Sequence, residues 1–388
     1  MDISTPIITY NRGWTTIGQL EESDVLFDVK GNPNPISKLE GPQLIEDALL
    51  VKFNTGEKFS CHSKVEWFTN TSKEVSDNLR RDPAWRKKRR LNRPSRAVEN
   101  PKRPNQSLAA KISNSSREHK YLPKIEPSFR TTLVISNTLF VRGDRKNHVI
   151  EVAPSINTSD EPLRIDSYTL GMYLGDGAAI SAMIIMEADD WANIEHLIPY
   201  SLAKEYVSGK KNNLLTRRYT NLRADLNKVL DSTYYITPSG RKYRKFVKRI
   251  PNEIYMASYD DRLNCLKGLM DTDGTVDKDR GRCEIGFSDF NLALDTLKLL
   301  STLGIKCSMR TKKIKGAKTH YRMQFNPSFF VFNLDRKRNH QVLKTKSEYV
   351  NRRYIEKISF VGECTIRNLM VTNPEAGFLI GNTLIPAR

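Results

Sequence analysis

The sequence predicts an α+β protein, with a repeated helical unit in the middle of the chain and strand-rich segments at its two ends. Three observations carry this. An apolar run of helical spacing that closes on an acid and a glycine occurs twice, at Leu170–Gly177 and Leu266–Gly274. Residues 3–29, 48–67 and 367–385 alternate apolar and polar side chains between Gly, Asn and Pro, the pattern of short strands. Residues 73–125 follow neither period and are crowded with Arg, Lys and Pro.

The second copy of the helical run is the sharper. Read as a helix, it places Leu266, Leu269 and Met270 on one face, with Asp273 at its C-terminal end. A carboxylate sits badly there, because the carbonyl end of a helix dipole is negative. A cation shared with nearby carbonyls resolves the conflict, and Gly274 is expected to let the chain leave in a left-handed conformation. For a single copy, the plain alternative is a helix end with solvated aspartates. The first copy, ending in Asp176-Gly177, weakens that alternative. Gly171 and Gly268 each stand six residues before the closing glycine of their copy. Small residues there let two helix backbones approach and bring the acidic tips together. Two converging carboxylates repel unless a divalent cation lies between them.

Composition bounds the partners. The chain has 388 residues, enough for two or three domains, with 63 Lys and Arg against 44 Asp and Glu. A net charge of +19 predicts a polyanionic partner. No apolar run has the length of a membrane span, and no basic-then-apolar leader opens the sequence. We therefore expect no membrane and an unsecreted protein of the cytoplasm or nucleoid of a microbial or phage host. The five cysteines are scattered without a CxxC pair, which argues against a disulfide framework or zinc site.

In chain order, residues 3–29 read as strands, Gly31 to Pro42 as a Pro- and Asn-rich loop, and Ala48 to Trp67 as strands about a turn at Thr55-Gly56. The stretch Leu79 to Arg103 carries the cluster Arg86, Lys87, Lys88, Arg89 and Arg90, with only Asp82 and Glu99 opposing its charge. It is either a solvated arm or a phosphate-binding surface, and Pro83, Pro94 and Pro101, with Pro104 just beyond, exclude one long helix. Ser128 to His148 reads as a small helical segment with a basic turn. After Asp176 come a strand at Ile180–Ala188, an amphipathic helix at Trp191–Tyr206, and basic loops that include Arg241, Lys242, Arg244 and Lys245. After Asp273 come a hairpin at Thr275–Phe287, a helix at Leu292–Leu303 stopped by Gly304, and a hairpin at Arg310–Phe325 bearing Arg310, Lys312 and Lys313. The expected division is 1–72, 73–160 as a basic DNA-binding insert, 161–345 in two halves (about 161–255 and 256–345), and 346–388.

The repeated motif resembles that of single-chain LAGLIDADG homing endonucleases. The second copy matches at most positions; in the first, Leu174 replaces the earlier acid but Asp176 keeps the last one. The resemblance implies two αββαββα halves forming a pseudo-dimer whose sheets straddle a long, specific site in double-stranded DNA, with the protein a monomer. It implies Asp176 and Asp273 as metal ligands, helped by the carbonyls of Gly175 and Thr272, with Asp271 a weaker alternative. The implied cofactor is Mg²⁺ or Mn²⁺, with Ca²⁺ binding but not supporting cleavage. Lys248, in Lys248-Arg249-Ile250-Pro251, and Lys337 are the implied water-polarising or charge-stabilising groups. For any lysine in so basic a chain, a solvated surface charge is the plain alternative. His196, His320 and His340 show no paired spacing.

The ends resemble the two halves of an intein splicing domain of the horseshoe-shaped Hint type. The carrying residues are Thr5-Pro6-Ile7-Ile8-Thr9 with Gly13-Trp14, Gly56-Glu57-Lys58 leading to Trp67-Phe68-Thr69, and Val371-Thr372-Asn373-Pro374 leading to Phe378-Leu379-Ile380. Splicing needs an initial Cys or Ser, a His before Trp67 and a final Asn. Here stand Met1, Val65 (with His62 nearby) and Arg388, so a splicing-inactive scaffold around an endonuclease is expected. The competing readings are a splicing intein with a vestigial endonuclease, and a non-catalytic nucleic-acid-binding protein.

Overall fold

The computed structural model describes residues 1–82, 123–208, 213–313, 318–343 and 351–388. The basic cluster Arg86, Lys87, Lys88, Arg89 and Arg90 lies outside them.

Strands from both ends of the chain interleave in one sheet. Pro6–Thr9 pairs with Gly13–Thr16 on one side and with Phe378–Ile380 on the other, Ile7 facing Ile380. Ile385–Ala387 joins that group to Glu66–Thr71. The sheet runs on through His148–Glu151 and the long strand Arg352–Ile366 to Gln43–Phe53 and Lys58–Cys61. Alternation explains its core: in Lys58–Cys61 the side chains of Phe59 and Cys61 are buried, and those of Lys58 and Ser60 are not. Phe53, Phe59 and Trp67 stack edge to face or tilted among Ile7, Ile380 and Ile385. The turn at Thr55-Gly56 forms as expected, Gly56 taking a φ of +96°.

Two expectations for this frame are corrected. Residues 33–39 are not loop: Pro33–Leu39 is a strand between Val25–Phe27 and Leu369–Val371. Its prolines lack an N–H, but the Pro35 carbonyl accepts from Thr372 N at 2.8 Å. Residues 128–151, grouped above with the basic insert, pair with the frame instead: Ser128–Thr131 and His148–Glu151 both lie against Glu66–Thr71. Within this stretch only Thr132–Asn137 is helical, and Thr132 Oγ1 accepts from the buried Trp67 indole at 2.9 Å.

The middle of the chain folds as two similar units. In the first, the strands Gly177–Ala178, Met183–Glu187, Leu202–Ser208 and Leu214–Tyr219 form a sheet in the order first, second, fourth, third. In the second, Thr275–Val276, Cys283–Phe287, Met309–Lys312 and His320–Phe325 take the same order. A helix follows the second strand in each unit, Ala188–Ile194 and Phe290–Thr302. The latter is capped by Asp289, whose carboxylate accepts from Leu292 N at 2.9 Å, and it ends before Gly304 at φ +72°.

The helix expected over Trp191–Tyr206 is shorter. It ends at Ile194, a 3₁₀ turn covers Glu195–Leu197, and Leu202–Ser208 is a strand. Pro199 supplies no N–H to continue a helix, and Leu202 onward finds its ladder partners in Leu214–Tyr219. Ser232–Ile236 and Lys242–Phe246 make a separate hairpin outside both sheets.

Candidate active site

The two motif runs are helices, Ser167–Asp176 and Tyr259–Thr272. Asp166 caps the first by accepting from Thr169 N at 2.7 Å, and Ser258 caps the second by accepting from Asp261 N at 3.1 Å. They cross with almost no side-chain spacer. A Cβ added at Gly171 would lie 2.1 Å from the Cys265 carbonyl oxygen; one at Gly268 would lie 2.2 Å from that of Tyr168. Contact at glycine backbones is what lets the two ends converge.

At those ends the acids meet. A Cβ at Gly175 would lie 2.0 Å from Thr272 Oγ1 and 3.3 Å from Asp273 Oδ2. Asp273 keeps a face open to solvent, but protein surrounds the rest of it. This partial burial, reinforced by the charge of Asp176, pushes its carboxyl up to about 6. Burial likewise raises Asp176. The closing glycines act differently from the expectation above. Neither Gly177 nor Gly274 has a positive φ; each is needed for space, since a Cβ would lie 2.2 Å from Tyr173 O or 2.5 Å from Met270 O.

One lysine reaches each helix end. Lys248 Nζ donates to Gly175 O at 2.5 Å. Lys337 Nζ donates to four carbonyls, those of Asp271 and Gly274 at 2.7 Å, Met270 at 3.0 Å and Thr272 at 3.2 Å. Burial lowers both lysines, Lys337 to about 8 with help from the neighbouring Arg336. Neither is the solvated charge that the plain alternative required. The carbonyls of Gly175 and Thr272 each already hold a lysine ammonium, so either offers a cation only its second lone pair.

Asp271 has another task. Its carboxylate accepts from Tyr168 Oη at 2.8 Å and from the amides of Asn333 and Leu334 at 3.0 to 3.2 Å, and it is 1% exposed. It ties the second helix to the residues that lead into the short helix Asp335–Arg338, which carries Lys337. Tyr168 and these two amides carried no signal in the sequence. Nor did two further acids, Asp190 and Asp295, which hold Arg336 and Arg249. The one hint was Asp295, an acid set among the leucines of the amphipathic stretch Leu292–Leu303.

The residues fit a hard cation. Two crowded carboxylates with raised affinity for protons are an oxygen donor set in need of positive charge. Among the described residues no cluster of three or more His, Cys, Asp or Glu gathers anywhere.

Basic side chains face outward at two places. Arg310 and Lys312 are exposed on the second sheet, with Lys313 exposed just past its strand; the first two line a polar cleft of about 340 Å³ together with Arg282, Arg322 and Gln324. Arg241, Lys242, Arg244 and Lys245 are exposed on the separate hairpin, with Lys242 over the Tyr234 ring at 3.8 Å. That hairpin is rooted beside the first motif helix: Phe246 N donates to Ala179 O at 3.0 Å, and its ring meets Tyr173 edge-on.

Residues 260–358, which begin in the second motif helix, match the family model of a LAGLIDADG-like domain. This part of the chain is similar to a LAGLIDADG-like domain. The whole chain is also similar to a replicative DNA helicase DnaB of Mycobacterium intracellulare, at 23% identity over 99% of the chain. It spans 57% of that relative's length. Among solved structures, the MchDnaB-1 intein is 26% identical over 19% of this chain and 53% of its own, with a TM-score of 0.17. The homing endonuclease I-DmoI in complex with DNA and Mn is 14% identical over 42% of this chain and 89% of its own, with a TM-score of 0.29. The matched residues contain Asp271, Asp273, Lys337 and the basic sheet of the second unit; Asp176 and Lys248 precede them in the chain. No helix among the described residues is long and apolar enough to cross a membrane.

Proposed function

We propose that this protein is a metal-dependent endonuclease that cuts both strands of a long, specific DNA site. In this reading, residues 161–345 act as a pseudo-dimer of two αββαββα halves set into a Hint-like frame that has lost splicing. The convergence of Asp176 and Asp273 on one point, each with a lysine at its own helix end, carries the reading.

Mg²⁺ or Mn²⁺ held by the two carboxylates would supply charge at the attacking and leaving oxygens of the phosphodiester. The chain's own groups do the rest. Burial gathers the two acids into one anionic focus, and the helix crossing fixes their spacing. Lys248 and Lys337, anchored on backbone carbonyls, hold positive charge beside that focus where a phosphate would enter. The exposed arginines and lysines of the second sheet and the hairpin suit phosphate and base contacts along the duplex. In the frame, Met1 and Arg388 line one cavity of about 540 Å³ with His62 and Val65, and no Cys, Ser or Thr is among its lining residues.

The test is direct. Incubating the purified protein with a randomised duplex library in Mg²⁺ and sequencing the new ends should recover one long consensus, with paired breaks in the two strands. Absence of any enriched break would reject the activity. The hairpin gives a second expectation. Replacing Arg241, Lys242, Arg244 and Lys245 by Gln should flatten the dependence of log affinity on log salt by roughly 0.9 for each phosphate that is no longer neutralised. An unchanged slope in gel-shift titrations would return these residues to the role of solvated charge.

A further inference from the structure

We propose that Arg249 and Arg336 are positioning residues, each locking the active-site lysine beside it against the opposite half of the molecule, so that each governs cutting of one strand. The inference rests on the endonuclease reading above and goes beyond it.

The two arrangements are built alike. Arg249 follows Lys248 directly, and Arg336 directly precedes Lys337. Arg249 donates from Nε and Nη2 to the two carboxylate oxygens of Asp295, at 2.5 and 2.9 Å. Arg336 does the same to Asp190, at 2.6 and 2.5 Å. Both acids are buried, at 2% and 5% exposure, and both stand on the helix that follows the second strand of a unit. Each clamp crosses between units. Lys248 caps the helix end of the first unit, while Arg249 grips the second unit's helix. Lys337 caps the helix end of the second unit, while Arg336 grips the first unit's helix.

Secondary contacts reinforce each clamp on the side of the lysine. Asp295 also accepts from Ile250 N at 3.2 Å, which holds the backbone just beyond Lys248 and Arg249. Beside Asp190, Asn193 and Asp335 exchange two hydrogen bonds, at 2.8 and 3.1 Å, and Asp335 is two residues before Lys337. The arginines themselves are about half exposed, at 46% and 56% of their side chains. Only the arginine half of each pair is exposed; the carboxylate is buried and fixed, and a two-point fork on such a carboxylate sets direction. Arg336 and Lys337 are neighbours in one short helix, so their side chains diverge by about 100° and can face different units. The fork therefore orients the segment whose lysine must meet the phosphate, and it takes its reference from the other unit.

The experiment uses the duplex recovered from the library selection, with each strand end-labelled in turn, and the full-length protein in Mg²⁺. The unaltered protein is the first arm: if it does not cut, the endonuclease reading fails and not the clamp. Given cutting, Arg249→Ala should slow one strand at least tenfold more than the other, and Arg336→Ala should show the opposite bias, so that nicked duplex accumulates. Affinity in Ca²⁺ should stay within about threefold, and added ethylguanidinium should not restore the slow strand in either variant, because a free guanidinium can occupy the carboxylate without tethering the segment to it. Equal slowing of both strands, unchanged rates, or restoration of the rate by ethylguanidinium would overturn the proposal. If the Ala variants melt below the assay temperature, Arg249→Lys and Arg336→Lys replace them. These keep the charge and lose the fork, and the same opposed strand bias is required of them.

Discussion

Asp273→Asn should abolish double-strand cutting while leaving DNA affinity within about tenfold, on the order of 1.4 kcal/mol. The substitution keeps the shape of the side chain and removes the charge that would hold a cation. In the proposed reading, affinity rests on the exposed arginines and lysines of the second sheet and the hairpin, which the change does not touch. Asp176→Asn should behave in the same way, because a cation between the helix ends needs both carboxylates. Plasmid linearisation in Mg²⁺ or Mn²⁺ reads the first effect, and gel shifts in Ca²⁺ read the second. Full cutting by either variant would sink the assignment.

The same substitution has a signature in the metal-free protein. Partial burial, then the charge of Asp176, raise the Asp273 carboxyl to about 6, so the folded state binds its proton more tightly than the unfolded chain does. The stability linked to that proton is fully present below about pH 4 and is lost as pH rises through about 6. Asp273→Asn removes the loss. In EDTA at pH 7.5 the variant should therefore be more stable than the parent, by on the order of 1 kcal/mol once screening at the open face of the carboxylate is allowed for. The difference should vanish near pH 4. An inactive variant that is less stable at both pH values would point to a structural role for Asp273.

What could be read in advance divides by the range of the interactions involved. The motif helices, their close crossing and the two converging acids are written in local pattern: glycine at a fixed offset, an apolar face, an acid at the end. The helix at Phe290–Thr302 and the turn at Gly56 were legible for the same reason. Pro33–Leu39 was not, because one of its two partner strands, Leu369–Val371, stands at the far end of the chain. The helix expected to reach Tyr206 failed on a similar point. Leu202 onward is amphipathic in either period, and only pairing with Leu214–Tyr219 decides between them. At the site, Asp271 looked like a spare metal ligand until its donors were known, and those come from Tyr168 and from amides some sixty residues onward. The clamps of Arg249 and Arg336 were invisible because each joins residues whose proximity exists only once both units are folded and docked.

Gly171→Ala should cost both stability and activity, although alanine is the better helix former. In an open helix the change would gain about 0.8 to 1 kcal/mol. Here the new Cβ would lie 2.1 Å from the Cys265 carbonyl oxygen and 3.1 Å from Gly268 Cα, which are backbone atoms and cannot swing aside. The helices must separate instead. Overpacking of this kind costs about 1–3 kcal/mol and occasionally more, so the net expectation is a loss of roughly 1–2 kcal/mol in urea unfolding. Separation also withdraws Asp176 from Asp273, because Gly175 lies against Thr272 and Asp273 at the same interface. A displacement near 1 Å at a site of this type lowers rates by about a hundredfold, so cutting should fall by at least that factor. Gly268→Ala should do the same, since its Cβ would meet Tyr168 O at 2.2 Å and Met172 N at 2.6 Å. Gly41→Ala is the matched control, having nothing within 4 Å of the added Cβ, and it should change neither quantity. A Gly171→Ala protein that unfolds and cuts like the parent would mean that the helix crossing does not set the spacing of the acids.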